Sequence, residues 1–371
     1  MNHHGGMQYN AGMANLTRKT GHHRGRRRRG RSGRPSPVWL VIVLAAAAVL
    51  FFAGKTFWGK DASEKETEPA VEDIVSDPTY VNGEIITEGA KVNRDETPIL
   101  GGAELAMLTN QTNGQMMSFL LETSGGKLIV VDGGRWEDGD YLMELIREKG
   151  GQVAAWFLTH AHTDHVGALI NLLQKEADGT DTGIKIENIY YNFADMDWYM
   201  THELGDLGTA GTIMSLLDAL PQEQLHTVER GQVITVDDVT VTVMNDRYEP
   251  GPDEVGERDG NDASIAYRMV VNNVSILFLG DLQTIGGDLL LEQAGAEALK
   301  SDIVQMAHHG QHGVSQEVYQ AISPRICLWP APDWLWENEG DAYETPQTQE
   351  WMRKLEVEKH YCIKDGDQII R

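Results

Sequence analysis

The chain has 371 residues, 41% of them apolar, and only two cysteines, so it can bury a core but has no disulfide framework. Its charge is split: residues 1–60 hold 11 Lys or Arg and no Asp or Glu, leaving 20 basic against all 56 acidic residues over 61–371, a formal charge of −36. Such a field repels long polyanions and lacks the basic stripe that counterion release requires, which disfavours bulk nucleic acid as a partner.

Residues 35–54 carry no charge and have an apolar heart from Val38 to Phe52. Coiled as a helix, the run spans about 30 Å, the thickness of a bilayer's hydrocarbon core. Seven arginines from Arg24 to Arg34 precede it, and basic flanks stay on the cytoplasmic side. The run exceeds the core of a cleaved secretory signal, so an uncleaved anchor is expected. The expected order is a basic cytoplasmic tail over 1–37, a transmembrane anchor over 38–54, an acidic stalk over 55–98 and a folded extracytoplasmic domain over 99–371. The tail's arginines then serve orientation and contact with anionic lipid.

In the folded part, apolar patterning predicts strands at 118–122 and 127–131 around a Ser124-Gly125-Gly126 turn, ending at Asp132-Gly133-Gly134. Leu142, Leu145 and Ile146 predict a helix over 138–149, stopped by Gly150-Gly151. Residues 153–158 read as a buried strand, followed by a histidine-bearing loop and a helix over 167–176. Two more hairpins are predicted, 233–236 with 239–243 across Asp237-Asp238, and 263–271 with 274–279 across Asn272-Asn273. Helical spacing recurs at 210–220, 286–294 and 315–322. A sheet-then-helix order that runs twice predicts a mixed α/β domain of two layered halves.

His160, His162, Asp164 and His165 lie within six residues at the end of the strand 153–158. Alternate residues of an extended segment share a side, so His160 and His162 can meet one metal ion while the next turn presents Asp164 and His165 to another. Imidazole with carboxylate is a zinc donor set, two ions by this spacing, and manganese or iron accept the same donors. Two histidines alone would be ordinary surface decoration; the whole tetrad, after an apolar strand and before a Gly-containing helix start, is not. Cys327 and Cys362 are compatible with one bridge or with two buried thiols.

In this context the tetrad resembles the signature of the metallo-β-lactamase superfamily. Asp132, after Leu128-Ile129-Val130-Val131, is similar to the family's strand-end aspartate, and Asp281, in Leu277-Phe278-Leu279-Gly280-Asp281, to its bridging carboxylate. Asn261-Asp262-Ala263-Ser264 and His308-His309-Gly310 resemble motifs of the branch that includes the hydrolase domain of competence DNA-uptake proteins and surface phosphorylcholine esterases. The resemblance implies a four-layer αβ/βα sandwich, here preceded by one N-terminal transmembrane helix, and a zinc-dependent hydrolase. It implies that one ion takes His160 and His162, the other Asp164 and His165, with Asp281 between them. His308 would complete a shell, and His309 is an alternative or additional ligand. Of the two aspartates counted with the catalytic machinery, Asp164 would orient the attacking water and Asp132 would fix a ligand imidazole from behind.

The likeness has departures. Between the tetrad and Asp281 the only histidines are His202 and His226, neither in a convincing context, so a shell filled by water or substrate is expected. Ala168 follows Gly167 where a second Gly is frequent, and Gln311 follows His308-His309-Gly310 where the DNA-uptake relatives have Ser. The substrate class implied is a phosphate ester or diester, since paired divalent cations suit an anionic ester. The acidic field narrows it to small or cell-envelope esters. Competing readings are hydrolysis of a lactam or thioester, an exported nuclease, and a metal-binding module without turnover. A turnover profile separates the first, the charge weighs against the second, and an incomplete shell would favour the third. Trp329, Trp334 and Trp336 could frame a quaternary ammonium or a sugar, but covering the core is the simpler reading. No oligomeric state follows from the sequence.

Overall fold

The computed structural model describes residues 91–95, 97–250 and 260–371. The expected tail, the 38–54 anchor and most of the stalk lie outside the described residues. Among the described residues, no helix is long and apolar enough to cross a membrane.

Two sheets organise the chain. The first contains β1 (Val92–Asp95), β2 (Glu104–Met107), β3 (Ser118–Glu122), β4 (Leu128–Asp132), β5 (Gln152–Phe157), β6 (Lys185–Ile186), β7 (Ile189–Tyr191) and β8 (Leu225–Thr227). The second contains β9 (Val233–Val236), β10 (Val239–Val243), β11 (Tyr267–Val271), β12 (Val274–Phe278), β13 (Ile303–Gln305), β14 (Ile326–Trp329) and β15 (Lys359–Cys362). The last strand, β16 (Asp367–Ile370), returns to the first sheet and lies between β1 and β2. β1 therefore joins the sheet ahead of the boundary at residue 99 read from the sequence.

Side-chain alternation along the strands sorts three apolar layers. Phe119, Leu121, Ile129, Val131 and Phe157 of the first sheet share a core with Val239, Val241, Tyr267, Met269 and Phe278 of the second. Their neighbours Leu120, Leu128, Val130 and Trp156 turn the other way. There they meet helices α1 (Gly139–Glu148), α2 (Thr163–Ala177), α3 (Met196–His202) and α4 (Leu207–Asp218). Beyond the second sheet, Leu277, Val304, Cys327 and Trp329 pack in a third core with α5 (Thr284–Ala294), α6 (Ala296–Leu299), α7 (Gln316–Ile322), α8 (Asp333–Trp336) and α9 (Thr345–Lys354). The order is helix, sheet, sheet, helix, a mixed α/β fold around two sheets.

β4 and β5 are parallel neighbours in one sheet, as are β12 and β13 in the other. The C-terminal ends of these four strands carry Asp132, the histidine tetrad, Asp281 and the His308-His309 pair, so the sequence motifs gather where the strands end. The 263–271 strand is shorter than read: β11 starts at Tyr267, and residues before it form a turn and loop. Cys327 and Cys362 are free and buried, and burial pushes the Cys362 thiol up to about 12. Trp329 is fully buried and edge-on to Trp336, with ring centres 5.1 Å apart, so this aromatic run covers the core.

Candidate metal centre

Asp132 closes β4 with a left-handed backbone, φ 55°, which Asp tolerates better than most residues. It is fully buried, and its Oδ1 accepts the Thr159 backbone N–H at 2.9 Å. Its Oδ2 accepts the Thr159 hydroxyl at 2.9 Å and His165 Nδ1–H at 2.8 Å. With Nδ1 protonated, His165 offers the lone pair of Nε2, which lies 3.2 Å from Asp281 Oδ2. Both oxygens of Asp132 are occupied in this way, so it acts through His165 as a positioning residue.

Helix α2 begins at Thr163, four residues before the start read from the sequence, because His165 N and Val166 N already bond to His162 O at 3.1 and 3.0 Å. Asp164 and His165 thus ride a first helical turn, where the helix dipole favours a carboxylate. Gly167 allows this turn to press on the loop after β4, since a β-carbon there would stand 2.4 Å from Trp136 N. Ala168, the departure noted in the sequence, is core.

The Thr159 hydroxyl gives its proton to Asp132 and so accepts His160 Nδ1–H at 3.1 Å, with Ser264 Oγ equally close. Nε2 of His160 is then the lone-pair nitrogen, buried and without a hydrogen-bond partner. Ser264 Oγ also accepts Asp281 N–H at 3.2 Å, while Asp262 Oδ1 accepts the N–H groups of Gln283 and Gly286 at the start of α5. The Asn261–Ser264 motif therefore braces both a histidine and the Asp281 turn.

After β13, His308 and His309 both adopt left-handed backbone, φ 49° and 56°, a costly conformation that tends to persist at working sites. His309 is fully buried, donates Nδ1–H to Pro330 O at 2.8 Å, and sets Nε2 3.2 Å from Asp164 Oδ2 and 3.5 Å from Asp281 Oδ2. His308 stands at the rim, with Nε2 3.9 Å from Asp281 Oδ2 and Nδ1 3.3 Å from Gln283 Nε2. Of the two histidines left open by the sequence, His309 joins the cluster and His308 lies beside it.

Ligand atoms of Asp164, His165, Asp281 and His309 all fall within 4.8 Å of one another. A second group sets His162 Nε2 3.6 Å from Glu203 Oε2 and 4.0 Å from Asp206 Oδ2. The His160 ring lies between the two groups, 4.1 Å from the His165 ring and 4.4 Å from that of His162, centre to centre. Sequence reading missed Glu203 and Asp206, which follow α3 and reach the tetrad only through tertiary packing. His202 packs instead against Trp198, and His226 Nε2 pairs with Asn188 Oδ1 at 2.8 Å; neither enters a group.

Burial works against charge on Asp164, His165, Asp281 and His309, and their mutual attraction restores it. Against burial, Asp281 is held well below the usual carboxylate range by His165 and His309, and Asp164 by His309 and His165. Against burial again, His309 is pushed up to about 9 by Asp281 and Asp164, and His165 well above its ordinary value by Asp281 and Asp132. His160 goes the other way, driven down by burial and by His165 and His162.

The donors fit a metal. Nε2 of His160, His162, His165 and His309 and Oδ1 of Asp281 are buried atoms without a hydrogen-bond partner. Buried polar atoms are ordinarily satisfied, and imidazole nitrogen with carboxylate oxygen is the donor chemistry of zinc and related divalent ions.

Comparison with solved structures finds similar arrangements at low identity. YhfI from Bacillus subtilis, a metallo-beta-lactamase fold protein, is 13% identical, with 72% of this chain and 99% of that chain covered and a TM-score of 0.44. Yeast PDE1 is 12% identical, covering 71% and 98%, with a TM-score of 0.45. MEM-A1, a subclass B3 metallo-beta-lactamase from a soil metagenome library, is 14% identical, covering 70% and 92%, with a TM-score of 0.38. No curated protein matches the chain in sequence. Residues 112–324, more than half of the chain, match the family described as the metallo-beta-lactamase superfamily, and the chain belongs to that superfamily.

Proposed function

We propose that this protein is a membrane-anchored extracytoplasmic hydrolase, using two divalent ions, zinc foremost, to cleave a small or envelope-bound phosphate ester or diester. The observation that carries this reading is the set of buried, unpartnered donor atoms on His160, His162, His165, His309 and Asp281. Bound there, paired cations would supply the acidity that makes water a nucleophile near neutral pH and would offset the charge of an anionic ester.

The chain's own residues prepare that chemistry. Through hydrogen bonds the Asp132 carboxylate, the Thr159 hydroxyl and the Pro330 carbonyl hold the Nδ1–H tautomers of His165, His160 and His309 and leave each Nε2 for ligation. Asp164, in the first turn of α2, would orient the attacking water. His308, Gln283 and Asn261 line the rim with groups able to donate to ester oxygens. The −36 formal charge of residues 61–371 supports a small ester over a long polyanion. The basic-flanked apolar run at 38–54 supports an anchor that keeps the site near the envelope.

The test is turnover of bis(p-nitrophenyl) phosphate, p-nitrophenyl phosphate, nitrocefin and an acyl thioester by the full chain in detergent. His162→Ala and Asp281→Ala serve as controls. Diester turnover lost in both variants supports the proposal. Turnover confined to nitrocefin or the thioester would replace the substrate class, and bound metal without any turnover would leave a binding module.

A further inference from the structure

We infer that Glu203 is a protein ligand of the ion held by His160 and His162, standing where a third imidazole is missing from this sequence. The inference rests on the two-metal reading above. Two donors each about 2.0–2.2 Å from a shared tetrahedral ion stand roughly 3.4 Å apart. Glu203 Oε2 lies 3.6 Å from His162 Nε2, too far for a hydrogen bond and close to that ligand-to-ligand spacing.

Glu203 is not a solvated surface acid: its side chain is 3% exposed, although it follows directly on the short helix α3. A carboxylate is costly to bury without a cation, and among the described residues its ion-pair partner is His162 rather than a Lys or Arg. Its surroundings are built around it. Gly260 donates its backbone N–H to Oε2 at 2.9 Å, and a β-carbon on Gly260 would lie 2.4 Å from His162 Nε2. Any larger residue at 260 would have to displace the His162 ring or the Glu203 carboxylate. His162 Nε2 itself is buried without a hydrogen-bond partner, and the His160 ring, 4.4 Å from that of His162 centre to centre, carries a second such nitrogen.

Two imidazoles with one glutamate is a donor set that catalytic zinc uses, so the site does not need the absent histidine. Asp206, more exposed and 4.0 Å from His162 Nε2, is a second carboxylate of the same group. Relative to three neutral imidazoles, the anionic donor lowers the net charge at this ion by one unit. It also favours harder cations such as manganese alongside zinc.

The experiment measures zinc content after dialysis, zinc affinity by chelator competition and the visible spectrum of the cobalt-substituted full chain in detergent. The variants are Glu203→Gln and Glu203→His. Glutamine keeps an oxygen for the Gly260 N–H but loses the anionic donor, and histidine returns an imidazole. Two ions are expected in the unaltered chain and one in Glu203→Gln, with affinity at the lost site down by more than about 100-fold, beyond the 10–100-fold effect of a merely supporting contact. Glu203→His should bind two ions with a shifted cobalt spectrum, which decides the matter even if the glutamine variant fails to fold. Two ions at unchanged affinity in Glu203→Gln, or an unshifted cobalt spectrum in Glu203→His, would overturn the inference and leave the two-metal reading standing. Fewer than two ions in the unaltered chain would overturn that reading, and this inference with it.

Discussion

Asp132→Asn isolates the contact that prepares His165 for metal. Asparagine tolerates the left-handed φ of 55° at this position, so the backbone can remain as it is. Oδ1 must still accept the Thr159 N–H, which turns the new amide nitrogen toward His165 Nδ1. Two donors cannot share that contact, so the imidazole proton moves to Nε2 and the ligating lone pair is lost. Loss of such a supporting partner lowers metal affinity about 10–100-fold, equivalent to about 1.4–2.7 kcal/mol. The effect should fall on the ion held by Asp164, His165, Asp281 and His309 and spare the His160/His162 ion. Zinc competition against a chromogenic chelator reads both affinities, and a melting curve of the metal-free variant checks its fold. Affinities within twofold of the unaltered chain would refute the reasoning.

Three further outcomes follow from the same geometry. His309→Ala should lose metal from the Asp164 group, whereas His308→Ala should keep both ions and lose turnover; equal metal loss in the two variants, measured by elemental analysis, would contradict the placement of His308 at the rim. Gly167→Ala puts a β-carbon 2.4 Å from Trp136 N, a backbone atom that cannot step aside, so a loss of about 1–3 kcal/mol is expected in denaturant unfolding, and an unchanged midpoint would contradict that close approach. In the metal-free chain His309 is raised to about 9 and His165 also lies above its ordinary value, so folding binds protons more tightly than the unfolded chain does. Their stabilisation is full below about pH 6.5, the unfolded histidine value, and is lost as pH rises through about 9. The metal-free Tm should fall across that window and the zinc-loaded Tm should not, because zinc replaces those protons; a flat metal-free profile would contradict the proposed electrostatics.

The hairpin at β3 and β4, the strand β5 and the tetrad were legible because period-two apolar patterning and local His/Asp spacing are properties of short segments. Asp281 and the His308-His309 pair were legible through motif likeness, but their ranking was not. What separates them is that His309 is fully buried and bonded to the Pro330 carbonyl, while His308 stays at the rim. The start of α2 was read four residues late because polar Thr163 and Asp164 give no apolar period and His162 supplies no side-chain cap. Glu203 left no trace in the sequence, since α3 is only seven residues long and the contact with His162 is made across the fold. The seat of β16 between β1 and β2 was equally hidden, being a pairing between the two ends of the described chain.

Anomalous diffraction at the zinc edge from crystals of the zinc-loaded protein tests the central claim most directly. Two peaks are predicted, one bounded by His160, His162 and Glu203 and one by Asp164, His165, Asp281 and His309. Absence of density at both places, or zinc bound only at surface carboxylates, would contradict it.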